Sequence, residues 1–502
     1  MAGTSVVEGV LIDWVATQPE SEPRLPVEWL DDADVAAELG RLQRNRARDT
    51  AREADLILRL AKLRPDTDDP PSGTPGARRR SWRKTDPEFV GVSEFFPDEV
   101  AHAINLGRGT AAFRARRAFT WQEHLPATFA ALHRGELDER RAGVLADVLQ
   151  HTRPELAQAV EAALLDEADE LSLAALRTRA LALLAELDAT AGEKRHEEAK
   201  RAADVRSYPT GDGMATLAGD MTVEEAAACS AVIDALARMA KADGDDRPIG
   251  AIRASIMSML IMRPADHGQP GVSVHLTVAA TVETLEGSSA AGGEVNGSAV
   301  TADQLRNLLR RVGALGLTTP EGGSLTFALT DEKGRLLATL TGAELARLAR
   351  KGCPDHAAGE HHAAEQSGDP GSSDTDCGCP LAGMPPPTDA YEPTAAQRRF
   401  VDTRDRRCRL PNCGQRVGWA DHDHVIPHGQ GGRTTCTNLC CLCRSHHRLK
   451  TFARGWTFRL EPDGTLHVTS PSGITRTTRP PGLRPPEPEP PPDDPLDDPA
   501  PF

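Results

Sequence analysis

The chain has 502 residues and a formal net charge of −16, from 58 lysines and arginines against 74 aspartates and glutamates. That length predicts two to four domains, and an apolar share of 39% with no run approaching a membrane span argues against a membrane protein. The opening "MAGTSVVEGVLIDWVATQPESEP" carries acids where a secretory signal carries a basic end, so the expected location is cytoplasmic.

Residues 1–26 read as an N-terminal extension, and residues 27–353 as a mainly helical domain with internal linkers near 65–92 and 285–300. "VEWLDDADVAAELGRLQRNRARDTAREADLILRLAKL" has helical apolar spacing that stops at Pro65. The patch "ARRRSWRK", residues 77–84, mixes arginines with Trp82; it reads as a solvated linker, although such a mixture can also grip phosphates. From Pro97 to about Lys241 the pattern is helical almost throughout. Leu137, Val144, Leu145, Val148 and Leu149 share one face, and Thr222 with Glu225 forms a capping box. "DEVAHAINLGRGTAAFRARRA" has the outline of a helix-turn-helix, which alanine-rich helical pairs also produce by chance. "VSVHLTVAATV" and "SLTFALTDEKGRLLATLTG" alternate as strands do.

Residues 354–393 form a low-complexity linker and residues 479–502 an acidic proline-rich tail, neither with enough apolar surface to order itself. His361, His362, Cys377 and Cys379 lie in that linker, and a flexible linker rarely presets metal geometry.

Residues 394–478 carry the chemistry. Six of the ten cysteines fall there, and without an export signal such clustering favours metal over disulfides. Cys408 and Cys413 form a C-x4-C knuckle, and Cys443 with His446 makes a second pair far along the chain, the arrangement of a tetrahedral structural zinc site. Cys440 rivals His446 as fourth ligand. His446 is preferred because "LCCL" reads as an apolar element facing the core, and Cys229, Cys436, Cys440 and Cys441 are expected to be buried thiols. From Thr394 to Arg454 twelve arginines and lysines meet four aspartates, a basic island on an acidic chain and a candidate polyanion site.

Asp423, His424, Asn438 and His447 remain after the zinc set. Hydrolysis of a phosphodiester needs a general base, which a neutral histidine provides, and a divalent cation, which a carboxylate with an imidazole can hold. "CRLPNC", "DHDHVIPHGQGG" and "TNLCCLCRSHHRLK" together resemble the HNH endonuclease motif of the ββα-metal (His-Me finger) superfamily. The variant is similar to that of actinobacterial 13E12-repeat-family proteins, whose N-terminal part is domain of unknown function 222. "LPATFAALHRGELDERRAGVLADVL" and "GDGMATLAGDMTVEEAAA" extend the likeness over most of residues 27–478.

The resemblance implies that His424 activates water and Asn438 holds the loop that orients it. It further implies that Asp423 and His447 bind a catalytic Mg²⁺ or Mn²⁺, that Cys408, Cys413, Cys443 and His446 bind structural zinc, and that Arg444 and Lys450 contact phosphates of DNA. The expected architecture is α+β and multidomain, a mainly helical N-terminal region with a few strands followed by a small ββα-metal HNH module with a zinc knuckle. The alternative is a DNA-binding protein, a mobile-element relic, that keeps the zinc scaffold without cleaving. A binuclear metallohydrolase would need further Asp and His pairs after His424, and a zinc deaminase would need H-x-E with P-C-x-x-C; the chain has neither. His422 is expected to face solvent.

Overall fold

Asp32 and Asp34 occupy the first turn of the helix Asp32–Lys62, where carboxylates complement the helix dipole, and Pro65 follows its end. Ala47, Ala51, Ala54, Leu58 and Ala61 recur at helical spacing along its buried face. The computed structural model describes residues 26–74, 76, 89–262, 278–286, 288–296, 298–311, 325–331, 333–344, 347, 383–418 and 420–482. It is an α+β fold in two compact units, Met1–Arg59 with Arg114–Gly192 and Leu60–Phe113 with Glu193–Phe502. Among the described residues no helix is long and apolar enough to cross a membrane. The patch 77–84 and the four linker His and Cys residues lie outside the described residues.

The first unit is helical. Proline at the first turn starts Pro126–Arg134 and Pro154–Leu164, and the Asp138 side chain accepts from the Arg140 and Arg141 amides to cap Glu139–Leu149. Val144, Leu145, Val148 and Leu149 are buried in that last helix, and Leu137 is buried just before it. In the helix Arg108–Glu123, Arg114 pairs with Glu53 and Arg117 makes a bidentate pair with Asp147. Two arginines that gave the helix-turn-helix outline its basic second helix are therefore tied to neighbouring helices.

The second unit holds small antiparallel sheets. Val205–Gly211 and Met214–Gly219 form a hairpin inside the stretch expected to be helical. Asp212 and Gly213 turn it, both at positive φ (51° and 70°), the conformation that an Asp-Gly hairpin turn requires. Thr326–Thr330 and Leu336–Thr341 pair as a second hairpin inside the stretch read as strands. The Thr222–Glu225 capping box is formed at the start of Val223–Ala242.

Near the C-terminus, Thr394 and Gln397 form another capping box on helix Ala395–Asp405, strands Ala420–His424 and Leu439–Cys443 pair, helix Arg444–Phe452 follows, and a three-stranded meander runs to Thr478. Every side chain of Leu439–Cys443 is buried, in two apolar clusters: Cys440 and Leu442 with Leu449 and Leu466, Leu439 and Cys441 with Phe400 and Val401. Cys229, expected to be buried, is exposed.

A charge network locks helix to hairpin. Asp405, fully buried, lies 2.7 Å from Arg404 Nε and 2.8 Å from Arg409 Nη1, and accepts the Cys441 amide at 2.9 Å. The Arg404 guanidinium donates to the carbonyls of Cys436 and Leu439. Burial would raise the Asp405 carboxyl, but the two guanidiniums hold it below its usual range. Asp405→Asn should therefore cost about 3–5 kcal/mol, because it leaves two buried cations without their anion. Denaturant unfolding of the full chain measures this, and an unchanged midpoint would refute it.

Candidate functional site

The hairpin registers His424 against Leu439 and Ala420 against Cys443, so its alternating side chains divide between two faces. Asp421 and Asp423 face the helix Arg444–Phe452. His422 and His424 face the other way.

Sulfur and nitrogen gather where the hairpin meets the knuckle. The Sγ atoms of Cys408, Cys413 and Cys443 and a ring nitrogen of His446 all lie within 4.8 Å of one another, and His446 Nδ1 is 3.3 Å from both Cys408 and Cys443 Sγ. Ligands of a tetrahedral zinc stand roughly 3.5–3.8 Å apart, so this set could hold such an ion. Burial opposes a charged His446, yet its bonds to Asp98, Cys413 and Cys443 raise it to about 11. Hydrogen bonds from Cys408 and Cys413 hold the Cys443 thiol below its usual value. Cys440 is excluded from the set. Burial pushes its thiol up to about 12, and it packs in the core.

His447, next in sequence to His446, lies between two carboxylates of the hairpin. His447 Nδ1 lies 2.8 Å from Asp421 Oδ2, and His447 Nε2 lies 3.6 Å from Asp423 Oδ1. The ring thus turns Nδ1 to Asp421 and Nε2 to Asp423. Ligand atoms on one cation with bonds near 2.1 Å stand roughly 3.0–4.2 Å apart, so 3.6 Å suits a shared ion. Asp423 Oδ2 is buried without a hydrogen-bond partner among the described residues, and Lys450 Nζ lies 3.0 Å from it.

His424 is 4% exposed. Its Nε2 lies 2.7 Å from Thr434 Oγ1, and that hydroxyl donates to the Ala390 carbonyl at 2.6 Å. The Thr434 proton being committed there, Nε2 must donate, which leaves Nδ1 as the basic nitrogen. Tyr391 stacks on the ring at 5.4 Å and His428 meets it edge-on at 5.6 Å. Burial, with the charges of His428 and Lys450, lowers the His424 pKa against the opposing pull of Asp423.

Asn438 closes the loop after the first strand: its Oδ1 accepts the Ile426 amide at 2.8 Å and its Nδ2 donates to the Ile426 and Arg433 carbonyls, both at 3.0 Å. The glycine pair is part of the same clamp. Gly431 sits at φ 89°, and a Cβ on Gly432 would lie 1.9 Å from the Ile426 oxygen.

Several expected positions come out differently. His422 does not face solvent: its Nε2 is 2.8 Å from Asp402 Oδ1, joining hairpin to helix. With Cys441 these form a further Asp-His-Cys group, but burial keeps that thiol protonated and the group reads as packing. Lys450, expected at a phosphate, is held by Asp423 and by the His424 carbonyl at 2.6 Å, with its side chain 7% exposed. The basic island is also largely matched. Arg399, Arg406, Arg433, Arg448 and Arg454 pair with Glu344, Glu294, Asp389, Glu94 and Asp68, all outside the segment. Arg444 is 76% exposed, 3.2 Å from Asp421. Exposed pairs such as those of Arg433, Arg444 and Arg454 hold by only about 0.2–1 kcal/mol.

Three partners escaped the sequence: Asp421, Thr434 and Asp98. Asp421 was findable, since it shares the Asp423 face at a spacing of two. Nothing local marks the other two.

The family described as "Domain of unknown function (DUF222)" matches residues 36–320. Over 90 residues the chain is 48% identical to the uncharacterized protein Rv3776 of Mycobacterium tuberculosis, a stretch amounting to 18% of this chain and 17% of that protein. Over 90 residues it is 46% identical to the uncharacterized protein Rv2100 of the same species, 18% of this chain and 16% of that protein. The chain therefore matches only a small part of the length of these curated relatives. No solved structure matches.

Proposed function

The chain belongs to the DUF222 family, whose match at residues 36–320 names no chemistry, and we propose from the residues beyond that match that it is an HNH-type, metal-dependent endonuclease hydrolysing DNA phosphodiesters. The observation that carries this reading is the meeting of Asp423 and His447, 3.6 Å apart, beside the buried neutral His424, on a strand–strand–helix unit stapled by a Cys3His set. The ββα-metal likeness adds the roles.

His424 takes the proton of the attacking water. Asn438 fixes the loop that follows the base, Asp421 holds the His447 ring, and Lys450 orients the Asp423 carboxylate. When bound, a divalent cation at Asp423 and His447 would stabilise charge on the phosphoryl and leaving oxygens, and zinc at the Cys3His set would contribute folding free energy. Arg433, Arg444 and Arg454 would trade loose surface pairs for phosphates. Because His424 lies beneath Tyr391 and His428, catalysis requires those rings to give way as substrate enters.

That burial favours one rival, a chain that binds DNA without cutting it. Supercoiled plasmid with Mg²⁺ or Mn²⁺, beside a chelator control, separates the two. Cation-dependent nicking supports the enzyme, while a mobility shift without nicking supports the binder.

The pH dependence follows from the same residue. The folded chain resists protonating His424, so its value lies below the ordinary 6.5 and the base stays competent somewhat below that pH. The acid limb of the rate profile should fall below 6.5. His424 contributes a loss of stability as pH falls below 6.5, because the unfolded chain takes up a proton that the folded one refuses. A limb above 6.5 would contradict the assignment.

A further inference from the structure

Helix Phe96–Ile104 belongs to the family match at residues 36–320, yet its buried face is unusually polar. Asp98, Glu99 and His102 are 3, 2 and 3% exposed, and ionisable groups so buried need partners. Glu99 makes a bidentate pair with Arg64, and the other partners lie largely in the C-terminal module. His102 Nε2 lies 3.0 Å from the Ile474 carbonyl and its ring meets Trp456 edge-on at 5.3 Å. The Ser472 hydroxyl donates to Glu99. Asp98 Oδ1 lies 3.2 Å from His446 Nε2, and Arg108 Nε, 3.1 Å from Oδ2, gives the carboxylate its countercharge. On either side of this contact, Phe95 packs in one apolar cluster with Cys408, Cys443 and Leu449, and Arg448 pairs with Glu94 at 2.6 Å.

We infer that Asp98 is the positioning carboxylate of the Cys408–Cys413–Cys443–His446 centre, and that this helix of the family region completes a metal site whose ligands all lie outside the family match. The inference rests on the zinc reading of that centre. An imidazole that donates its Nε2 proton to a carboxylate keeps its Nδ1 lone pair free and its ring fixed. The Nδ1 of His446 is the atom 3.3 Å from Cys408 and Cys443 Sγ. A carboxylate in that position also raises the basicity of the ligand. His447, next in sequence, uses the opposite arrangement, with Asp421 on Nδ1 and Nε2 turned to Asp423. Neighbouring histidines are thus assigned to different centres by which nitrogen each carboxylate occupies.

The test is zinc affinity of the full chain, read by competition with a chromogenic chelator, for wild type, Asp98→Ala, Asp98→Asn and His102→Ala. Asp98→Ala should weaken zinc about 10–100-fold, and Asp98→Asn less, since its amide oxygen still accepts from Nε2. His102→Ala loses packing on the same helix and should change affinity by less than about twofold. In zinc-loaded wild type, long-range proton–nitrogen spectra of the histidines should show His446 coordinated through Nδ1 with a protonated Nε2, a readout that stands even where a variant fails to fold. Unchanged affinity in Asp98→Ala, an equal loss in His102→Ala, or coordination through Nε2 would each overturn the inference. A wild type that binds no zinc would overturn the knuckle itself, and the inference with it.

Discussion

His424→Ala should reduce phosphodiester cleavage at least about 10²-fold while leaving DNA binding and zinc content intact. The ring stands apart from the thiols, and its Nε2 is spent on Thr434, whose own proton goes to Ala390. A side chain there for packing alone would not need its tautomer fixed, nor a carboxylate at the preceding position aimed at a second histidine. The competing view is that His424 merely fills space under Tyr391. Thr434→Val separates the two views, because it keeps the volume and removes the hydroxyl that fixes which nitrogen is bare. On the catalytic assignment it lowers the rate of cleavage and disturbs the acid limb, while melting changes little; on the packing view neither variant touches cleavage. Nicking retained in clean His424→Ala protein would end the assignment.

Legibility in this chain followed distance along it. Cys408 with Cys413 and Cys443 with His446 are pairs held by one turn or one helix start, so their spacing already encodes proximity, and the structure gathers them within 4.8 Å. The hairpin at Val205–Gly219 carried an Asp-Gly turn signal that alanine-rich flanks outweighed. Charge was only partly legible, for a different reason. A count over residues 394–454 cannot include Glu94, Asp68 or Glu344, and those acids pair with Arg448, Arg454 and Arg399. Asp98 sits 348 residues before His446, and one sequence carries no local mark of such a pairing.

The two proposed metals should come apart under substitution. Cys443 ends the strand Leu439–Cys443 and stands at the N-cap position of the helix Arg444–Phe452 without a side-chain cap bond, so Cys443→Ser keeps both elements and removes only the thiol of the Cys3His set. Structural zinc contributes on the order of 10–16 kcal/mol of apparent binding energy to such modules, more than the net stability of most domains, so the variant should release about one zinc per chain and melt at markedly lower temperature. The measurement belongs on the full chain, because Phe95, Asp98 and His102 are built into the module from outside residues 394–478. His447→Ala should behave in the opposite way. The ring is about a third exposed and its partners are Asp421 and Asp423, so its loss leaves the thiol set untouched. Zinc content and melting should stay near wild type while cleavage is lost and cannot be recovered by raising Mg²⁺ or Mn²⁺. Zinc released by both substitutions, with both modules melting, would mean that His447 shares the knuckle with His446 and that the chain has a single metal centre.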